Sequence, residues 1–364
     1  MKLPQPFLLS AVMLLGITAS AHAAPVAPSA FTISPFASAP SHSVFGPDDI
    51  TSVDGNVYVA WQNGIGPKGQ AGPHHNLFST VVKYSHTGRA VAHWSLQGHV
   101  DGIAGDGHRL IATANEDGNA LVYVVKPTVA KKKQITQYIP YPAPDAKGSG
   151  ALLTGGGLDS ITVVGGKILV SASAPTRSGR TATFVVTLGA RKVKPAGAGK
   201  KVRTNVALLA KTFSDRGTAT DAVSGNKVTL HLTDPDSNAL VPISSGDAYA
   251  GDYVLNDQAG DELIFSGHGL MRLGLSWGPT GVKAGVDDVR WAPSDHTTLY
   301  AVDSGANTIY KVTGPFAAGD ALASMDSIGS ASAGSTIASL NDGSGELDPF
   351  ITGLKAVKGL LFMP

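Results

Sequence analysis

Leu299-Tyr300-Ala301-Val302-Asp303-Ser304-Gly305-Ala306-Asn307-Thr308-Ile309-Tyr310-Lys311-Val312 decides the fold, because two short apolar and β-branched runs flank one polar turn. Such a pattern is a hairpin of antiparallel strands. Similar runs stand at Asn56-Val57-Tyr58-Val59, Arg109-Leu110-Ile111-Ala112 and Lys167-Ile168-Leu169-Val170. A third strand follows another turn at Asn119-Ala120-Leu121-Val122-Tyr123-Val124.

A repeated opening precedes these runs: Gly, then Pro or an apolar residue, Asp, a small or acidic residue, and Ile or Val. It is written Gly46-Pro47-Asp48-Asp49-Ile50, Gly157-Leu158-Asp159-Ser160-Ile161 and Gly285-Val286-Asp287-Asp288-Val289, with a looser copy at His99-Val100-Asp101-Gly102-Ile103. Each opening strand is expected to pair with the run after it, so the 285–289 strand should lie beside 299–302. Asp252-Tyr253-Val254-Leu255 and Glu262-Leu263-Ile264-Phe265 form a divergent copy without the opening. A period of about 35 to 60 residues is that of propeller blades with four antiparallel strands. One blade exposes two apolar faces and cannot bury them alone, so blades must pack side by side and close into a ring. The expected architecture is an all-β propeller of six blades, or of seven if 218–244 adds a strand pair. A strand at 31–35 and the ending Gly353-Leu354-Lys355-Ala356-Val357-Lys358-Gly359-Leu360-Leu361-Phe362 are expected to complete one shared blade.

Composition agrees with this reading. With 44 Gly, 22 Pro and 15% charged residues, the chain suits many tight turns and not long helices. Lys2, an apolar run at 7–19 and Ala21-His22-Ala23-Ala24 read as a signal peptide cut after Ala23, which would place the protein in the periplasm or outside the cell. The organisation is then a signal peptide at 1–23, an N-terminal segment with the closing strand at 24–43, and one propeller domain at 44–364. Later apolar runs are broken by Gly, Asp or Lys within a strand's length, so no membrane span is expected. The chain has no cysteine, which excludes disulfides and thiolate catalysis. A net charge of +1 gives no field for nucleic acid. The basic clusters Lys131-Lys132-Lys133 and 192–203 lack interleaved aromatics and read as solvated loops. The expected partner is a small molecule or an extracellular protein, bound by a monomer.

The stretch from Leu299 to Val312 resembles an NHL repeat, and so does the ending from Gly353 to Phe362. The mature chain is loosely similar to the six-bladed group that holds gluconolactonase-type lactonases, streptogramin lyases and NHL binding modules. That resemblance implies a six-bladed fold and leaves hydrolysis, lyase chemistry and binding open. The acidic first-strand opening paired with Asn ligands, as in a lactonase-type calcium site, is not found in this register.

In a propeller the first strand of each blade lines the central channel. Asp48, Asp101, Asp159 and Asp287 would then stand at equivalent openings, as hard oxygen ligands for Ca2+ or Mg2+. The same side chains serve equally well to cap their own turns. The 62–76 loop, long for a compact blade, carries Asn63, His74 and His75. His74 is a ligand-binding candidate, and His75 with His99 is the acid–base candidate. Adjacent histidines in an extended stretch point to opposite sides, so only one of the pair can face the channel. Asn115, Glu116 and Asp303 occupy corresponding loops, as ligand-binding groups or as turn formers. Thr233-Asp234-Pro235-Asp236-Ser237-Asn238 has the composition of a calcium loop but lacks the Gly and distal Glu of an EF-hand. No phosphate loop, serine nucleophile elbow or His-Glu-x-x-His is present. Two functions remain: an exported protein binding a ligand at the channel face, with or without a divalent cation, or a metal-assisted lyase or lactonase-type hydrolase at the same face. A scaffold for protein contact, marked by an apolar rim patch, is a third.

Overall fold

Two-residue turns set the register of the first strands. Asp54 and Gly55 have φ of 51° and 69°, and Gly165 and Gly166 have 56° and 76°. These left-handed pairs make the tight hairpins that match strand twist. They place Val53 opposite Asn56 and Val164 opposite Lys167. The computed structural model describes residues 24–143, 156–177, 180–193 and 200–364. The expected signal peptide lies outside the described residues.

The fold is all-β and propeller-like. Pro47–Val53, Asn56–Trp61, Phe78–Tyr84 and Ala90–Gln97 form an antiparallel sheet. Val100–Asp106, Arg109–Ala114, Leu121–Val125 and Ile135–Pro142 form the next set, and Ile161–Val164, Lys167–Ser171, Thr183–Val193 and Val202–Lys211 the one after. Their outer strands, Ile135–Pro142 and Val202–Lys211, pair in parallel and fuse the two sets. Pro235–Leu240, Tyr253–Asp257, Glu262–Ser266 and Leu270–Gly274 follow, widened at the edge by the hairpin Thr218–Asp221 and Lys227–Thr229. The 218–244 segment therefore holds both an edge hairpin and an opening strand. Lys192 and Arg203 lie directly opposite each other in paired strands, so the ends of the second basic cluster belong to a sheet and not to a loop.

The C-terminal third departs from the expected meander. Val282–Trp291 pairs with Ala321–Ile328, while Thr298–Asp303 sits between Thr308–Thr313 and Val357–Met363. The strands holding Asp287 and Leu299 are thus in different sheets. After Trp291 the chain crosses over to lay down a hairpin, returns for Ala321–Ile328, Ile337–Asn341 and Glu346–Ile351, and crosses again to end as Val357–Met363. In this arrangement Val286 lies opposite Met325 and Val289 opposite Ala323, while Leu299 and Ala301 bury in one cluster with Phe316 and Leu360. Thr32–Ser38 joins the edge of the last sheet through Thr308–Thr313, so strands from both ends of the chain share one sheet.

Alternate side chains in each strand serve opposite faces. Tyr58 and Ala60 pack with Ile103, Leu110 and Ala112 of the following set. Val57, Val59 and Trp61, from the same strand, pack with Tyr300, Val302 and Ile309 of the last sheet. Among the described residues no helix is long and apolar enough to cross a membrane.

Phe316 is 2% exposed, with its ring centroid 4.8 Å from Phe31 and 5.2 Å from Phe362, so it ties both chain ends to the crossing segment. Phe316→Ala should lower the unfolding free energy in urea by about 3–5 kcal/mol. A loss below about 1 kcal/mol would show that these segments do not share a packed core.

Candidate functional site

The opening strands break register where their acidic residues stand. The slips fall between Pro47 and Ile50, Val100 and Ile103, Pro235 and Asn238, and Val286 and Asp288. A bulge re-aims the side chain it carries, and the bulged positions hold Asp48, Asp101, Asp236 and Asp287. Asp159 stands just before Ile161–Val164, and Lys358 takes the matching place in Val357–Met363. All six line one cavity of about 280 Å3. Asp48, Asp101, Asp159 and Asp287 are therefore brought together as their spacing suggested, with His99 and Glu116 beside them.

Sequence reasoning missed Asp236 and Lys358, although both carry a signal. Asp234-Pro235-Asp236-Ser237 repeats the Pro-Asp of Gly46-Pro47-Asp48-Asp49. Val357-Lys358-Gly359-Leu360 repeats Val100-Asp101-Gly102-Ile103 with Lys in place of Asp. Gly359 is required there, since a Cβ would lie 2.8 Å from the Asp48 carbonyl oxygen.

A second row of polar groups fixes the first. The Asp49 carboxylate accepts from the backbone N–H of Ile103 at 2.7 Å, and that of Asp288 from Leu360 at 2.8 Å, so each bridges two opening strands. Arg290 pairs with Asp288 at 2.8 Å. Gln62 donates to Asp101 at 3.1 Å and Gln258 to Asp287 at 3.3 Å, each reaching from one set to the acidic residue of the next.

The cavity has two electrostatically distinct walls. On one, Lys358 is hydrogen-bonded to Asp287, and that carboxylate, with Asp48 and Asp236 behind it, holds the ammonium firmly charged. Burial pushes Asp48 and Asp236 well above the usual carboxylate range, while Lys358 pulls them back. On the other wall His99 Nε2 lies 2.8 Å from Asp101 Oδ1 and 3.9 Å from Glu116 Oε1. The Nδ1 of His99 is 2.5 Å from the Ile65 carbonyl, which can only accept, so that nitrogen carries a proton. Burial disfavours the imidazolium, but the Asp101 hydrogen bond and charge outweigh it and raise His99 to about 9. Burial and then Asp101 raise Glu116 to about 8. Asp159 is pushed well up by burial, then by Asp236 and Glu116. The Oδ2 atoms of Asp101 and Asp159 are buried with no hydrogen-bond partner among the described residues.

The remaining candidates stand outside this cavity. Asn63 is buried, donating to the Phe78 carbonyl and Thr80 hydroxyl and accepting from Phe45 N–H. Asn115 accepts from His99 N–H and donates to the Asn119 carbonyl. Asp303 accepts from the backbone of Ala306, Lys355 and Ala356. All three spend their polar atoms bracing the chain. His74 lines a separate surface hollow, and His75 is exposed in the Pro73–His75 turn. The long loop has a structural use: it docks on the neighbouring turn through Pro67 and Lys68 carbonyls, and buried Ile65 orients His99.

No protein-family model matches the chain, and no curated protein does. Among solved structures it is similar to a glutaminyl cyclase of Myxococcus xanthus at 13% identity, covering 68% of this chain and 75% of that one, with a TM-score of 0.32. It is similar to virginiamycin B lyase of Staphylococcus aureus at 10% identity, covering 78% and 99%, TM-score 0.33. Saccharomyces cerevisiae Sqt1 matches at 10% identity over 88% and 87%, TM-score 0.36. Likenesses this distant carry no argument about the chemistry.

Burial, against the help of backbone donors and Arg290, raises Asp49 to about 6 and Asp288 to about 7. Their folded values lie above the ordinary carboxylate value of about 4, so the folded protein keeps protons that the unfolded chain has released. The stability this gives is present near pH 4 and lost as pH rises towards 7. The urea midpoint of chelator-treated protein should fall between pH 5 and pH 8, and Asp288→Asn should flatten the slope. A midpoint that climbs across that range refutes the assignment.

Proposed function

We propose that this protein is an exported six-bladed β-propeller that binds a divalent cation, and over it a small oxygen-bearing ligand, at the mouth of its central channel. The observation that carries the reading is the cavity lining, with eight carboxylates against only Lys358, Arg290 and His99. Such a surplus in a confined space attracts cations and raises their local concentration. Hard carboxylate oxygens suit Ca2+ and Mg2+, whose shells are completed by waters or by a ligand's hydroxyl and carbonyl oxygens. Closure is supported by the opening strands, which touch in a cycle: Pro47–Val53 lies against Val100–Asp106 on one side and Val357–Met363 on the other, and the rest follow in order. The signal at 1–23 supports export.

Chelator-treated protein should unfold at higher urea when CaCl2 or MgCl2 is added, by about 2.7 kcal/mol at one hundred times Kd. Asp159→Asn combined with Asp236→Asn should remove most of that gain, and intact mass should begin the exported chain at Ala24. A cation response unchanged in the double variant would refute the reading.

His99 and Glu116 also favour a second reading, metal-assisted opening of a lactone or cyclic ester. They face each other at 3.9 Å and titrate at about 9 and about 8, close enough to neutrality to exchange a proton. On this reading, lactones or cyclic esters incubated with Ca2+, Mg2+ or Mn2+ release acid, and His99→Ala abolishes it. No turnover under any condition leaves binding alone standing.

A further inference from the structure

We propose that the His99 wall of the cavity is a dedicated site for one first-row transition dication of the Zn2+ or Mn2+ class, ligated by His99 Nε2, Asp101 and Glu116 with Asp159 as the outer carboxylate. The inference rests on the cation-binding reading and adds to it a transition-metal site on one wall.

The ligand atoms of His99, Asp101 and Glu116 all lie within 4.8 Å of one another. Atoms bound to one ion at about 2.0–2.1 Å stand roughly 3–4 Å apart; Nε2 stands 3.9 Å from Glu116 Oε1 and 2.8 Å from Asp101 Oδ1, so the Asp101 contact must open slightly to admit an ion. The imidazole is oriented for a metal: its Nδ1 proton is committed to the Ile65 carbonyl, the arrangement by which protein carbonyls orient metal-bound histidines, and its Nε2, whose proton a bound metal would displace, faces the acids. Gln62 steadies Asp101 through Oδ1, leaving Oδ2 buried and unpartnered. Asp159, 3% exposed, also has a buried Oδ2 with no partner among the described residues. A buried carboxylate oxygen left unpaired is costly, and a cation is the group that satisfies two at once.

The opposite wall lacks this capacity, because the Lys358 ammonium already lies on Asp287, with Asp48 and Asp236 around it. The mixed nitrogen and oxygen set selects the metal: Ca2+ and Mg2+ take all-oxygen shells, whereas imidazole suits Zn2+ and its neighbours.

Chelator-treated full-length mature protein, titrated calorimetrically with ZnCl2, MnCl2 and CaCl2, should bind one Zn2+ at least tenfold more tightly than Ca2+. His99→Gln should weaken Zn2+ by more than tenfold yet leave the Ca2+ response in place. His74→Ala with His75→Ala, both outside the cavity, should leave Zn2+ binding as it was. X-ray absorption of the Zn2+-loaded wild type should show one imidazole with oxygen neighbours, which guards against a variant that merely misfolds. Zn2+ affinity unaltered by His99→Gln, or an all-oxygen shell, overturns the proposal while Ca2+ binding keeps the broader reading; absence of any cation binding overturns both.

Discussion

Every sheet in this protein has two apolar faces, and that constraint governs the rest. The Asn56–Trp61 strand sends Tyr58 and Ala60 one way and Val57, Val59 and Trp61 the other, and all five are almost fully buried. A sheet with water on one side would strand half of these residues. Each sheet must therefore be covered on both faces, and on the proposed closed propeller the first meets the last. With no cysteine to staple the ends, that meeting is made by strand pairing and by Phe31, Phe316, Phe350 and Phe362. The crossing of the chain between its last two sheets adds to this, since neither sheet is complete until the other has been threaded through it.

Standing sheets on edge around a common line brings their opening strands together, and the bulges in those strands aim polar side chains into the space between. Burying so many carboxylates is expensive unless each finds a donor. Asp49 and Asp288 find backbone N–H groups on neighbouring strands, and Asp287 finds Lys358 and Gln258. These bonds hold adjacent strands at fixed separation. Asp101 and Asp159 each keep a buried Oδ2 with no hydrogen-bond partner among the described residues, and both line the cavity with His99.

Much of this was legible in the residues. The repeated opening, complete at Asp48, Asp159 and Asp287 and looser at Asp101, marked four residues that line one cavity, because one motif at equivalent strand starts faces one direction. Asp236 was read within a calcium-loop-like run and not as an opening residue because its opening begins with Asp234 and not Gly, and Lys358 was read as part of the closing strand because charge reversal hides a shared position. The partnership of Val282–Trp291 with Ala321–Ile328 was beyond a local reading, since the Leu299–Val302 run is nearer in sequence and equally strand-like. The pairing that forms, Val286 with Met325 and Val289 with Ala323, joins residues far apart in the chain. Asn63, Asn115 and Asp303 had the chemistry of binding residues, but their positions at or just past strand ends made them turn braces. In that role Asn115 still serves the cavity, by holding the backbone of His99.

Lys358 gives the cavity its direction. Five of the equivalent positions carry Asp, and a sixth Asp would have made a ring of like charges with no preferred side. One Lys instead neutralises the carboxylates nearest to it and leaves those across the channel exposed to whatever enters. The strand that bears it also supplies the Leu360 N–H that Asp288 needs and the Gly359 backbone that packs on Asp48. It is the last strand of the chain, laid down after both crossings. Val357–Met363 therefore both completes its sheet beside Thr298–Asp303 and supplies the ammonium that faces the carboxylates of the cavity.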